Sequence, residues 1–291
     1  MSIWFRAIRV HQWLKNLLLF LPVLAGHKLT ELYTVRHALL GFASFCLCAS
    51  AVYLINDIVD LESDRVHPRK RRRPFASGAI PVKQGIFVAP IFLVISILMA
   101  AYLSWLFLCV LVIYFLLTCS YSFWLKNQVI VDVMLLAGLY TMRVLAGSAA
   151  TAIPPSFWLL AFSVFVFLSL ALVKRYSELM LMRDLQKESA AGRGYFVQDS
   201  VVLLSLGSAA AYSAVLILAL YINSPDMVDL YSSRWPLWLL LPPFLYWMTR
   251  IWLKAHRGEL HEDPLVFAVT DKQSWGVAMT CGIALVVATV M

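Results

Sequence analysis

Long apolar runs alternate with short polar segments along the whole chain. Each run is about 20 residues long, which allows an α-helix to cross roughly 30 Å of hydrocarbon. The pattern predicts nine membrane-spanning helices, near residues 14–30, 37–56, 85–104, 106–124, 130–151, 156–174, 200–222, 235–253 and 274–291. We therefore expect an all-α polytopic membrane protein, in which residues 1–291 form a single integral membrane domain.

The first run is the weakest of the nine, because Lys15 and Pro22 interrupt it. A cleaved signal peptide also begins with basic residues and a short apolar stretch. No small-residue cleavage site follows this run, and Pro22 lies in its middle. We therefore retain it as a membrane span.

Composition agrees with the membrane class, since 62% of the residues are hydrophobic and only 14% are charged, against about 25% charged in soluble proteins. All five cysteines fall within apolar runs, and their spacing is not that of metal ligands. Small apolar packing is the expected role of these cysteines. We predict neither disulfides nor a zinc site.

Most of the 24 lysines and arginines lie before the first run or in the segments 57–84, 174–199 and 250–273. Because cytoplasmic loops retain basic residues, this asymmetry predicts a multi-pass protein of the plasma (inner) membrane whose N-terminus and these loops are cytoplasmic. The net charge of +8 is spread over short membrane-flanking loops. Orientation and anionic lipid explain most of it, and no nucleic-acid partner is expected.

The first of these loops carries a dense acidic group. Asp57, Asp60 and Asp64 are spaced by three and four residues, so they share one helical face, with Asn56 beside Asp60. Clustered carboxylates near a bilayer need cations, and hard oxygen ligands suit Mg²⁺ held jointly with substrate phosphates. The alternative is a solvated helix end that nearby arginines neutralise.

A basic run follows directly, from Arg69 to Arg73. Topology needs only a few positive charges, and arginine forks match phosphate oxygens. The pairing of this run with the acidic group therefore favours an anionic substrate. Which of Lys70, Arg71, Arg72 and Arg73 face the site is left open, because a loop has no periodicity.

The second loop begins with Lys174 and Arg175, and Glu178 lies four residues after Lys174. One interpretation is an ordinary intrahelical Lys174–Glu178 ion pair. In the other, Glu178 completes the metal shell from across the bundle while Lys174 and Arg175 contact phosphate. In the third loop, Asp263-Pro264 predicts a turn, and His261 is interpreted as a solvated residue.

Within the fifth run, Asp132 and Arg143 are eleven residues apart and share a helical face. A charge as deep as Arg143 usually faces a cavity and marks a functional site. The alternative is a buried ion pair that only fixes helix packing. Asp132 lies nearer the inner surface and could join the acidic group.

The sequence Asn56-Asp57-x-x-Asp60-x-x-x-Asp64 after the second span resembles the first aspartate-rich motif of the UbiA-type intramembrane prenyltransferases. The resemblance implies nine helices around a lateral, lipid-accessible cavity, with a diphosphate held through Mg²⁺ by two acidic motifs. Where a typical member has two aspartates in the second motif, this chain has Lys174-Arg175-Tyr176-Ser177-Glu178.

Together with Arg9–Asn16, Leu139–Gly147 and Glu262-Asp263-Pro264, this departure is similar to the decaprenyl-phosphate phosphoribosyltransferase branch of the family. The branch implies transfer of 5-phosphoribosyl from phosphoribosyl pyrophosphate to a polyprenyl phosphate, with release of pyrophosphate, for cell-envelope glycan precursors. The site implied has catalytic Asp57, Asp60, Asp64 and Glu178; Mg²⁺ ligands Asn56, Asp57, Asp60 and Asp64; and substrate-binding Lys15, Asn56, Lys70, Arg71, Arg72, Arg73, Arg143, Lys174, Arg175, Tyr176 and Arg193.

Two other functions are weighed against this one. A conventional UbiA-type enzyme would attach a prenyl chain to an aromatic acceptor, and the lone Glu178 with its surplus cations argues against it. A non-enzymatic lipid transporter or binder would place charges at mid-membrane within broken helices, and here only Arg143 does so. Formation of a homo-oligomer is left open.

Overall fold

The computed structural model describes residues 3–66, 70–187, 194–225, 230–260 and 263–290, and this part of the chain is helical without a β-strand. The α-helices are α1 (Ile3–Ala7), α2 (Leu21–Ala25), α3 (Leu32–Val59), α4 (Leu61–Val66), α5 (Val82–Leu103), α6 (Trp105–Phe123), α7 (Val131–Thr151), α8 (Phe157–Asp184), α9 (Ser200–Ile222), α10 (Leu241–His256), α11 (Pro264–Thr270) and α12 (Lys272–Val290). Short 3₁₀ helices occupy Val10–Phe20, Lys70–Arg72, Leu125–Asn127, Val197–Asp199 and Trp235–Leu240.

Seven of the described helices are long and apolar enough to cross a membrane, namely α3, α5, α6, α7, α8, α9 and α12. They correspond to the second to seventh and the ninth predicted spans. The all-α prediction is thus confirmed. For most ends of these seven helices, the predicted boundary lies within a few residues of the observed one.

The first and eighth predicted spans are built differently. The first is a 3₁₀ helix that passes into the short α2, and the eighth is the 3₁₀ helix Trp235–Leu240 followed by the 16-residue α10. Both α-helices have proline in their first turn. Because proline lacks an N–H and fixes φ, it favours the start of an α-helix over its interior. The count of nine spans stays a prediction.

The sixth span differs from its prediction at its end. The sequence pattern ended it at residue 174, whereas α8 continues to Asp184. Lys174, Arg175, Tyr176 and Glu178 therefore lie on a helix and not in a loop. The polar extension is stabilised as a helix because its buried face still carries apolar side chains, including Leu179 and Met180.

The chain divides into two compact units. The first contains Met1–Phe123 and Met142–Pro155. Within it, α3 packs against α5 through small residues: the Ser44 hydroxyl donates to the Ser96 carbonyl (2.9 Å), and the Ser96 hydroxyl donates to the Ser44 carbonyl (2.8 Å). Small residues let two helices approach closely in a membrane.

The second unit contains Trp124–Thr141 and Ser156–Met291. Here α8, α9 and α10 are joined at one point. The Ser169 hydroxyl on α8 donates to the Gly207 carbonyl on α9 (2.8 Å) and accepts from the Trp252 indole on α10 (3.0 Å). Gly207 leaves room for that indole, since a Cβ there would lie 2.0 Å from the ring.

Gly147 on α7 supports a test of the packing in the first unit. A Cβ there would lie 2.0 Å from the Leu19 carbonyl oxygen, which is backbone and cannot swing away. Alanine in a helix interior normally stabilises by about 1 kcal/mol relative to glycine, but overpacking of this kind costs about 1–3 kcal/mol. We expect Gly147→Ala to lower the Tm of the detergent-solubilised protein.

The matched control is Gly138→Ala on the same helix, where a Cβ meets nothing within 4 Å. Its Tm should equal or exceed that of the parent protein. If both variants had the same Tm, the close approach of Leu19 to α7 would be refuted.

Candidate functional site

The acidic group of the first unit lies at the junction of α3 and α4, with Asp60 between the two helices. The helical path continues through it, because the Asp60 amide donates to the Asn56 carbonyl (2.9 Å) and the Asp64 amide donates to the Asp60 carbonyl (2.8 Å). Asp57 and Asp64 converge on one guanidinium: Arg73 Nη1 lies 3.1 Å from Asp57 Oδ1 and 2.6 Å from Asp64 Oδ2.

Two further cations reach these carboxylates. Arg9 Nη2 donates to Asp57 Oδ1 (2.7 Å) and its guanidinium lies over the Tyr53 ring, 4.5 Å from the centroid. Lys70 Nζ lies 4.0 Å from Asp64 Oδ1. Arg71 and Arg72 are exposed. Of the basic run, the structure thus brings Arg73 and Lys70 to the acidic group; Arg9 was not among the predicted site residues, although it belongs to the Arg9–Asn16 motif.

The chemistry of this group fits Mg²⁺. Asp64 is 1% exposed, and its Oδ1 accepts no hydrogen bond from the described residues. Asp60 is half-buried, and the Asn56 amide donates to the Ser122 hydroxyl (3.0 Å). No set of three or more acidic, histidine or cysteine side chains within the described ranges is arranged around a common metal position. Mg²⁺ needs only one or two carboxylates when substrate phosphates supply the remaining ligands.

Arg143 is buried in the first unit and is surrounded by neutral polar groups. Its Nε donates to Asn16 Oδ1 (2.9 Å), and its Nη2 donates to the Tyr114 hydroxyl (2.8 Å). Asn16 in turn donates to Cys46 Sγ (3.3 Å). Neither Asn16, which belongs to the Arg9–Asn16 motif, nor Tyr114 was predicted as a partner of Arg143, because an amide or phenol in an apolar run gives no sign of its partner. Lys15, beside Asn16, is half-buried.

A second charged cluster lies in the second unit around Arg175, which is fully buried on α8. Its Nη2 lies 2.7 Å from Asp132 Oδ2, and its Nη1 donates to Glu178 Oε2. The Tyr195 hydroxyl donates to Asp132 Oδ1 (2.6 Å) and accepts from the Ile130 amide (2.8 Å). Burial raises the pKa of Tyr195 above its ordinary value, so this hydroxyl stays protonated and donates.

Asp132 and Arg143 therefore have different named partners, although they share α7. Asp132 binds Arg175 and Tyr195 in the second unit, whereas Arg143 binds Asn16 and Tyr114 in the first. A buried carboxylate with an arginine and a phenol around it is strongly stabilised in place. Sequence spacing had grouped the two charges by helical face and could not identify these partners.

Of the two interpretations of Lys174 and Glu178, the intrahelical ion pair between them is replaced by two other pairs. Glu178 binds Arg175, three residues away, and the Glu178 side chain remains 36% exposed. Lys174 Nζ instead donates to Asp263 Oδ2 (3.1 Å). Asp263 Oδ1 also accepts from the Leu265 amide (3.2 Å), which caps α11. Asp263 was predicted as a turn residue, and the structure makes it the partner of Lys174.

Tyr176 is buried on α8, and its hydroxyl lies 2.8 Å from His256 Nδ1 on α10. Its ring packs edge-on against Trp252. Four residues of the predicted motifs and loops lie outside the described residues, namely Arg69, Arg193, His261 and Glu262. Substrate contacts of Tyr176, Arg175 and Arg193 stay predictions.

Comparison with known proteins assigns the family. Residues 18–288 match the model of the UbiA prenyltransferase family. The chain is 39% identical to protein y4nM of Sinorhizobium fredii over 98% of its own length, but spans only 55% of that protein. It is 34% identical to nodulation protein NoeC of Azorhizobium caulinodans, covering 96% of this chain and 90% of NoeC.

A third relative is the decaprenyl-phosphate phosphoribosyltransferase of Mycobacterium tuberculosis, which is 38% identical over 180 residues, or 60% of each chain. Among solved structures, a UbiA homologue from Archaeoglobus fulgidus bound to GPP and Mg²⁺ superposes with a TM-score of 0.72 at 17% identity, covering 98% of this chain and 100% of the other. That similarity confirms the fold. The chain is therefore a multi-pass membrane protein that belongs to the UbiA prenyltransferase family.

Proposed function

We propose that this protein is a Mg²⁺-dependent transferase that moves 5-phosphoribosyl from phosphoribosyl pyrophosphate to a polyprenyl phosphate and releases pyrophosphate, for cell-envelope glycan precursors. One observation carries the proposal: Lys174, in the second motif, is held at 3.1 Å by Asp263. The Mycobacterium tuberculosis relative, named for this reaction, supports it.

A phosphoribosyl donor differs from a prenyl diphosphate by its 5-phosphate, and it therefore needs more positive charge. Lys174 is 31% exposed in its side chain, so its ammonium is accessible to a phosphate that competes with Asp263. Arg143 and Lys15 are two further cations predicted to bind substrate, and an arginine fork suits phosphate oxygens.

Asn56, Asp57, Asp60 and Asp64 would hold Mg²⁺, which neutralises charge on the departing pyrophosphate. Arg73 and Lys70 lie against Asp57 and Asp64 in the free protein. When donor binds, these two cations provide further hydrogen bonds to its phosphate oxygens. Asp57 and Asp64 thus act both as ligands and as residues that position Arg73.

The acceptor phosphate is already ionised at neutral pH, so this reaction needs no strong general base. It also needs no protein nucleophile, because the lipid phosphate itself attacks the anomeric carbon. The protein therefore contributes positioning and charge neutralisation. Glu178, which Arg175 holds in one orientation, supplies a fixed acceptor for a hydroxyl group of the donor.

A second candidate is prenyl transfer to an aromatic acceptor. It is favoured by the similarity in fold to the Archaeoglobus fulgidus homologue, whose structure contains GPP and Mg²⁺. In that reaction the lipid is the electrophile, and Lys174 has no additional phosphate to bind.

The two functions differ in the donor: it is phosphoribosyl pyrophosphate in the first and a prenyl diphosphate in the second. A labelled phosphoribosyl donor therefore distinguishes them. Purified full-length protein would be incubated with Mg²⁺, labelled phosphoribosyl pyrophosphate and a polyprenyl phosphate, and label would be counted in the organic phase. We expect label to appear there and to be lost when Mg²⁺ is chelated. Lack of label in a sample that consumes prenyl diphosphate with an aromatic acid would support the second candidate instead.

Asp60→Asn tests the acidic group. The amide keeps the size of the side chain and removes the charge that a metal needs, so we expect transfer to fall at least about a hundredfold, equivalent to roughly 3 kcal/mol of lost stabilisation. The exposed Glu62, two residues away, provides the matched control Glu62→Gln, which should retain activity. Near-normal transfer by folded Asp60→Asn would eliminate the metal role of this residue.

Lys174→Met tests the donor contact. Loss of one charge-assisted hydrogen bond costs about 1.5–3 kcal/mol, so the KM for phosphoribosyl pyrophosphate should rise roughly tenfold or more while the KM for lipid is unchanged. Lys83→Met alters an exposed lysine at the start of α5 and serves as the control. An unchanged donor KM in Lys174→Met would remove this contact from the proposal.

A further inference from the structure

One face of α10 combines apolar and basic side chains in the second unit. Tyr246, Arg250, Lys254 and Arg257 are spaced by four, four and three residues, so they form a stripe along the helix, with Leu253 beside it. These side chains line an open groove of about 290 Å³. Tyr246 and Leu253 are exposed, which leaves an aromatic ring and an aliphatic chain uncovered below the basic end.

This groove adjoins a more enclosed one. Thr249 lines both of them. The second groove, of about 80 Å³, lies where α9 meets α10, and its other walls are Ser208, Ala211, Tyr212, Leu245, Met248 and Trp252. Most of these walls are carbon. An apolar channel therefore leads from the basic end of α10 along the helix.

Among the described residues, the basic end has three cations and two carboxylate partners, Asp271 and Glu259, and Glu259 also lines the groove. Arg250 makes two hydrogen bonds with Asp271, of 2.7 and 2.9 Å, and Lys254 donates to Glu259 (3.1 Å). Arg257 is exposed and makes no ion pair within the described ranges. The groove thus joins a surplus cation to an apolar channel, which is complementary to an amphiphile with an anionic head.

We propose that the joined groove binds one anionic membrane phospholipid, with the phosphate at Lys254 and Arg257 and one acyl chain along Leu253, Tyr246 and Thr249. The distance suits such a molecule, since eleven residues from Tyr246 to Arg257 rise about 16 Å along a helix. The proposed site uses none of the residues assigned to the proposed reaction, and it does not depend on that reaction.

Basic side chains near helix ends also extend toward any membrane surface, and they attract anionic lipid without a defined site. The two cases are distinguished by substitution. Diffuse attraction weakens equally when any exposed cation is removed, whereas lipid binding in the groove weakens when Lys254 and Arg257 are removed. A basic residue beside an anionic leaflet contributes about 1 kcal/mol, which corresponds to about a fivefold change in affinity.

The headgroup is tested by native mass spectrometry of the delipidated full-length protein, titrated with phosphatidylglycerol or with phosphatidylcholine of the same acyl chains. We expect about fivefold or greater preference for phosphatidylglycerol, and loss of this preference in Lys254→Gln/Arg257→Gln. The control Lys187→Gln/Lys272→Gln removes the same charge from exposed lysines outside the groove and should keep the preference. Equal loss in both double variants, or equal binding of the two lipids by the parent protein, would overturn the proposal.

The acyl chain is tested separately with Thr249→Trp, which fills the junction of the two grooves from an exposed position. Affinity for both lipids should fall. The control is Thr280→Trp on α12, where the exposed threonine hydroxyl likewise donates to a helix carbonyl four residues before it. Unchanged phosphatidylglycerol binding in Thr249→Trp would show that the lipid lies elsewhere.

Discussion

The buried charge of Arg175 links α7, α8 and the segment before α9 in the second unit. A guanidinium with no exposure is stable only when carboxylates compensate it, and breaking such a pair costs about 3–5 kcal/mol. Asp132 on α7 and Glu178 on α8 supply that compensation. Tyr195 then fixes Asp132, so the chain entering α9 is joined to the first turn of α7 through the same network.

The consequence for the site is that Glu178 is the half-exposed end of a buried network. Its position is set by Arg175, whose own position is set by Asp132. In the first unit Arg73 has the corresponding role, since one guanidinium holds both Asp57 and Asp64. Carboxylates held in this way lose little further conformational entropy when a ligand binds, and this preorganisation favours catalysis by positioning.

The sequence was sufficient for the class of fold and for the location of seven long apolar helices, because apolar periodicity is local information. The acidic motif was also visible, since its spacing of three and four residues is preserved across Asp60. The polar extension of α8 was missed because charges at a span end resemble a loop. The partners of Arg143, and the pairing of Arg175 with Asp132, were not predictable, because they depend on tertiary packing between segments far apart in the sequence.

Lys174 is a second example of a residue whose partner the sequence did not reveal. Its substitution for a family acid was evident in the sequence, but its partner Asp263 lies 89 residues later. That pairing changes the physical meaning of the substitution. A lone lysine would bind any anion, whereas a lysine already neutralised by Asp263 binds only an anion that competes with a carboxylate. In the proposed reaction, a doubly charged phosphate is such a competitor, and the pair therefore favours phosphate over weaker anions.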